Sequence, residues 1–262
     1  MKIFDSFNLS GKTALVAIPE GPYGKAAASA LCEAGAKVYL ASDDMKAASK
    51  VADDIKKEGF NVAGVIEYDP SSEKSIMALR DRIISESKKL DIFLLNAGER
   101  FTDGWNGGSG ADILANLKKN QNGTMLSTKI MGGEIAKNKA GSVIFLSSVY
   151  AFVGPDVQNT MECQEMVDYD FSLDRVFTVG GYVNYARQAA SYLGQFNVRV
   201  NTICAAPLDK PKEYAARFAE RTTLLRNATE NDVKGLVVYL ASDASSFVSG
   251  TSIPVDGGYI AK

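Results

Sequence analysis

Short β-rich runs alternate with longer helical stretches along almost the whole chain, and this rhythm constrains the fold more than any other feature. Thr13–Ile18 (TALVAI), Lys37–Ala41, Asn61–Tyr68, Asp91–Leu95, Ser142–Leu146, Val198–Ile203 and Ser252–Val255 read as strands. Between them, apolar residues recur at helical spacing over Asp44–Lys57 and Ser72–Ser87, and again over Ala111–Lys137, Phe177–Gln195 and Asn231–Ala241. The Ala-rich Lys25–Ala34 is a further helix, closed by Gly35. Strands separated by helices of ten or more residues mean βαβ crossovers and a parallel sheet, with helices on both faces. No linker, repeat or low-complexity segment interrupts the pattern. The expectation is an α/β fold, one doubly wound domain over residues 1–262.

Composition narrows the chemistry. Lys and Arg number 29 against 31 Asp and Glu, a net charge of −2 that gives no electrostatic reason to expect nucleic acid or an anionic membrane as a partner. No apolar run approaches the roughly 18–20 residues of a membrane span, and the first residues lack a signal-peptide core, so a cytoplasmic location is expected. The chain has no histidine, which removes Ser-His and Cys-His nucleophilic catalysis in their usual forms and any His-ligated metal. Cys32, Cys163 and Cys204 match no zinc or redox spacing, and no metal site is expected.

Several segments resemble the short-chain dehydrogenase/reductase family: LSGKTALV near the start, AGAKVYLAS, LNAGE at Leu95–Glu99, FLSSVY at Phe145–Tyr150, FNVRVNTI at Phe196–Ile203 and the closing LASDASSFVSGTSIPVDGGY. Their order and spacing hold over essentially the whole chain. The resemblance implies a Rossmann-like sheet, a dinucleotide cofactor bound by a glycine turn, and catalysis by a Ser, Tyr, Lys and Asn. On that pattern Ser148 stands at the family serine and Asn120 at the asparagine. The tyrosine and lysine positions fall on Arg175 and Val179. No register restores the pair, because none of the 11 tyrosines has a lysine four residues on, and no lysine lies between Lys139 and Lys210.

The physical consequence is severe. An arginine, with a pKa above about 12, cannot shuttle a proton near neutrality, and valine has no charge with which to activate a tyrosine or hold a ribose. Losing a positioned acid–base group costs about 10²–10⁴ in rate.

The glycine turn has drifted as well. It reads Ala17-Ile18-Pro19-Glu20-Gly21-Pro22-Tyr23-Gly24, keeping Gly24 and a displaced Gly21. Pro19 and Pro22 have no N–H for a pyrophosphate, and Glu20 brings a negative charge toward it. Asp69 resembles the acid at the adenine, Asn96 and Gly98 the family's Asn-Ala-Gly turn, and Asp43 an acid that would favour NAD over NADP. No cofactor is therefore expected, or NAD if any, and the site residues for it would be Gly21, Gly24, Asp43, Asp69, Asn96 and Gly98.

The expected function is that of a non-catalytic subunit paired with a catalytically active family member in a hetero-oligomer, by analogy with mixed family complexes acting on hydroxyacyl-CoA or acyl-carrier-protein substrates. The C-terminal tail would help complete the partner's pocket. Two alternatives stand beside it: a nucleotide or small-ligand sensor, and an NAD-dependent oxidoreductase using Tyr182 or Tyr185 beside Ser148. The stretch from Ala151 to Asp174 carries Asp156, Glu162, Glu165, Asp168, Asp170 and Asp174 with no Lys or Arg. It reads as a solvated acidic loop, or as a docking surface for a basic patch. The stripe Tyr182, Tyr185, Ala186, Ala189, Ala190 and Leu193 suits a core, or close packing across an interface.

Overall fold

A computed structural model describes residues 2–96, 101–160, 163, 166–167, 170–208 and 210–261. The strands are β1 (Thr13–Ala17), β2 (Lys37–Ser42), β3 (Gly64–Glu67), β4 (Ile92–Asn96), β5 (Gly141–Ser148), β6 (Val198–Ala205) and β7 (Ser252–Val255). They form one seven-stranded parallel sheet in the order β3-β2-β1-β4-β5-β6-β7. Strand order reverses between β1 and β4, so the carboxyl ends of these two strands flank the crevice where doubly wound sheets place their ligands.

The helices are α1 (Gly21–Glu33), α2 (Met45–Lys57), α3 (Glu73–Ser87), α4 (Gly110–Leu117), α5 (Gly123–Ala136), the short α6 (Val157–Thr160), α7 (Arg175–Leu193), α8 (Lys212–Arg221) and α9 (Lys234–Ala241). Alternation along β1 shows how the sheet is covered. Ala14 and Val16 join a core built with α1, α2 and α9, while Leu15 and Ala17 join one built with α3, α5 and α7. Because successive strand side chains point to opposite faces, a strand buried on both reads as a continuous apolar run, as TALVA does.

Three expectations need correction. The single helix over Ala111–Lys137 is instead α4 and α5 joined by a π-helical turn, Lys118–Asn122, that contains Asn120. The stretch after β6 hides the helix α8, whose Tyr214 and Phe218 are both buried. The stripe on α7 is core: Tyr182, Ala186, Ala189 and Leu193 are buried against the sheet, where Phe145 lies 5.7 Å from the Tyr182 ring and 6.0 Å from that of Tyr185.

The acidic stretch also behaves differently from either reading. Asp170 and Asp174 are buried, and Asp156 pairs with Arg221 of α8. These three carboxylates serve contacts within the chain; Glu162, Glu165 and Asp168 lie outside the described residues. The C-terminal tail is likewise engaged at home. Tyr259 stacks on Phe218 with ring centroids 4.3 Å apart, and Asp256 accepts from the Gly258 and Ile260 amides.

Candidate functional site

At the end of β1 the chain turns through Ile18, whose φ of 58° lies in the left-handed region, and Gly21 at 77° before entering α1. A β-branched residue there is a true outlier. The turn thus keeps a backbone path suited to glycine while carrying isoleucine at the family's first glycine position. Glu20 is the N-cap of α1 with no side-chain cap bond, and Pro22 occupies the first turn. Both carboxylate oxygens of Glu20 are shielded from solvent. Gly24 is fixed by crowding, because a Cβ there would lie 2.6 Å from the Pro19 carbonyl oxygen and 3.1 Å from Asn96 Nδ2. Asn96, at the end of β4, ties the loop down by donating to the Glu20 carbonyl at 3.2 Å.

Strand β5 ends in Ser147 and Ser148, registered opposite Cys204 and Ala205 of β6. Ser148 then caps a 3₁₀ turn, its Oγ accepting from the Tyr150 amide at 3.3 Å. Helix α7 begins at Arg175, so its first turn lies over this strand end and Val179 comes one turn on. Ser148, Arg175, Val179 and Asn96 all line one cavity of about 160 Å³. Arg175 and Val179 therefore sit beside Ser148, in agreement with the sequence register.

The other expected residues lie elsewhere. Asn120 is buried in the π turn, its carbonyl accepting from Thr124 Oγ1 at 2.6 Å, with the Tyr182 hydroxyl 2.9 Å from that same oxygen. Asp43 is ion-paired with Lys119 at 2.8 Å across the end of the sheet. Asp69 accepts from the Ser71 amide and hydroxyl at 2.8 and 2.7 Å, closing the turn before α3. Burial opposes its charge, but those bonds and the charges of Lys119 and Lys118 outweigh it and lower its pKa. Gly98 lies outside the described residues.

Behind the cavity is a buried polar network that the sequence did not disclose. Arg175 Nη1 donates to Asp170 Oδ1 at 2.9 Å, and the guanidinium lies 5.1 Å from the centroid of the Tyr150 ring. Asp170 Oδ2 accepts from the Tyr214 hydroxyl at 2.8 Å and from Tyr150 at 3.3 Å, and the two hydroxyls are 2.6 Å apart. Burial raises the Asp170 pKa despite Arg175 and both tyrosines, and raises those of Tyr150 and Tyr214 well beyond the phenol range. One signal pointed here: an arginine entering a buried helix start requires a buried anion.

The chemistry open to this arrangement is limited. Val179 packs against Val149 and Tyr150 and cannot polarise a neighbour. Tyr182 and Tyr185 belong to the opposite face, among the residues packed with Phe145, so the structure corrects the expectation of a tyrosine acid beside Ser148. Burial pushes the Cys204 thiol up to about 12 and the Cys32 thiol to about 11, leaving neither as a ready nucleophile. A dinucleotide fits poorly. Pro22 has no N–H, the Glu20 carboxylate stands at the N-terminus of α1, and Asp43 is engaged by Lys119. No catalytic step through such a cofactor follows from these residues. Among the described residues no helix is long and apolar enough to cross a membrane, and no group of three metal-ligating side chains occurs.

Comparison with known proteins places the chain in context. The short chain dehydrogenase profile matches residues 12–160, and the enoyl-(acyl carrier protein) reductase profile matches residues 179–260. An NADP-dependent mannitol dehydrogenase of Hypocrea jecorina is 27% identical, the alignment covering 100% of this chain and 97% of that protein. A 3-oxoacyl-(acyl-carrier-protein) reductase of Aquifex aeolicus is 28% identical over 95% of this chain and 98% of its own. The crystal structure of a short-chain type dehydrogenase/reductase from Mycobacterium marinum superimposes with a TM-score of 0.85 at 25% identity, over 100% of both chains.

Proposed function

Since the chain belongs to the short-chain dehydrogenase/reductase family, its function turns on the fate of that family's working groups, and we propose that it is a non-catalytic subunit of a hetero-oligomeric, NAD-dependent dehydrogenase. Its partner is an active member of the same family. One observation carries this reading: Arg175 and Val179 flank Ser148 where the family's acid–base tyrosine and its lysine stand, and the arginine is bound to Asp170. A permanently protonated guanidinium and an aliphatic side chain leave no group to pass a proton to a carbonyl.

The proposed substrate of the complex is a hydroxyacyl-CoA-type thioester, as in two-subunit dehydrogenases of the 2-(α-hydroxybenzyl)succinyl-CoA kind. An acyl-carrier-protein substrate is named for one relative and one matching profile, which favours this class. The contribution to the complex is structural, because Tyr259 and Asp256 are committed to their own chain. The test is to assay the purified chain alone for NADH-dependent ketone reduction, then to co-express it with an active family member carrying Tyr-x-x-x-Lys. The expected result is no turnover alone and a stable mixed complex that turns over. Ordinary dehydrogenase rates from the lone chain would sink the proposal.

A second reading has its own support. The left-handed turn at Ile18 and Gly21 and the charged Asp69 favour a chain that binds a nucleotide without turnover. Micromolar affinity for NADH in the isolated chain would select it.

A further inference from the structure

The cavity beside Ser148 has a composition that the loss of catalysis does not explain. Among the described residues that line it, Arg175 and Lys210 are the charged ones, and both are cations. The nearest carboxylate, Asp170, stands behind the arginine. Its Oδ1 is taken by Arg175 and its Oδ2 by two tyrosine hydroxyls, and the field of Lys210 reaches it as well. One buried carboxylate facing two cations leaves a surplus positive charge at the cavity wall. In a poorly hydrated cleft such a charge attracts an anion far more strongly than it would in water.

The geometry points to a binding site for a small organic carboxylate, held by Arg175 and Lys210 with the hydroxyl of Ser148. Arginine presents planar N–H donors that match a carboxylate, and here Asp170 and the Tyr150 ring hold it in place before any ligand arrives. Leu146, Val179, Ala205, Ala206 and Leu208 line the same space and suit a short carbon chain. A volume of about 160 Å³ is close to that of a cavity that holds one benzene molecule. It limits the ligand to about six to eight heavy atoms and excludes a whole dinucleotide. The family's carbonyl chemistry has no arginine at this position, so the site arises from the substitution itself.

Calorimetry on the intact chain tests the inference with succinate, its neutral isostere succinamide and inorganic phosphate, at low ionic strength. Succinate is expected to bind with millimolar or better affinity, succinamide and phosphate at least tenfold more weakly, and added salt should weaken succinate. Lys210→Met leaves the Arg175–Asp170 pair intact and should weaken succinate at least tenfold. A double variant, Arg175→Gln with Asp170→Asn, removes both buried charges together and should abolish binding. The inference is overturned if succinate gives no heat at tens of millimolar, if succinamide or phosphate binds as well, or if neither variant changes the affinity. The outcome is independent of the proposed function: a chain that reduced ketones alone would defeat that proposal and leave this one standing.

Discussion

Arg175 and Asp170 form a buried ion pair, Nη1 to Oδ1 at 2.9 Å, at the helix start where the family carries its catalytic tyrosine. The side chains are 6% and 0% exposed, so each charge depends on the other for its stability in the interior. Removing one partner of such a pair typically costs about 3–5 kcal/mol, whereas replacing both with apolar groups of similar size costs far less. Asp170→Ala should therefore lower stability by about that amount, and Asp170→Leu combined with Arg175→Met should recover most of it. Urea denaturation of the two variants measures both; equal loss in each would mean the pair is not coupled.

Gly24 and Gly181 offer a matched pair of tests. A methyl group at Gly24 meets the Pro19 carbonyl at 2.6 Å, and backbone cannot yield as a side chain would, so Gly24→Ala should destabilise by about 1–3 kcal/mol. Gly181, on α7, has nothing within 4 Å of the same position. Gly181→Ala should stabilise by about 0.5–1 kcal/mol through helix propensity alone. Thermal melts giving the same sign for both would contradict the loop geometry.

Ile18 carries a left-handed strain of about 1–2 kcal/mol that glycine would not. Replacing it with glycine loses some apolar contact and gains chain entropy in the unfolded state, so the Ile18→Gly variant should stay within about 1 kcal/mol of the parent. Calorimetry with millimolar NADH should show no heat for either chain, since Pro22 and Glu20 are untouched. Tight binding by the variant alone would mean that Ile18 was the whole obstacle.

The Asp232–Arg226 pair sets an acid-side dependence. The Arg226 hydrogen bonds, together with those from Thr229, hold the Asp232 carboxyl well below the usual carboxylate range. Because the folded-state pKa is the lower one, the stabilisation is present above the unfolded value, about 4, and is lost as pH falls through the folded value. Arg226 is half exposed, so the contribution is about 1 kcal/mol or less. Asp232→Asn should thus be less stable than the parent at pH 7, with the gap narrowing steadily below pH 4 in denaturant titrations.

The sequence alone determined the alternation of elements, the single parallel sheet and the register that puts Arg175 and Val179 beside Ser148. These depend on periodicity and on spacing from the strand Val198–Ala205, which local chain geometry transmits faithfully. It also determined that no Tyr-x-x-x-Lys exists, a fact of composition. Three things required the tertiary structure. The π turn at Asn120 interrupts a helical pattern whose apolar spacing alone reads as continuous. The burial of Asp170 depends on Tyr150, Tyr214 and Arg175, which arrive from β5, α8 and α7 and are neighbours only once the sheet has formed. The Asp43–Lys119 pair spans 76 positions and appears only when the ends of β2 and the π turn meet at one edge of the sheet. In each case the partners are distant in sequence, and charge or polarity alone gave a solvated group as the default.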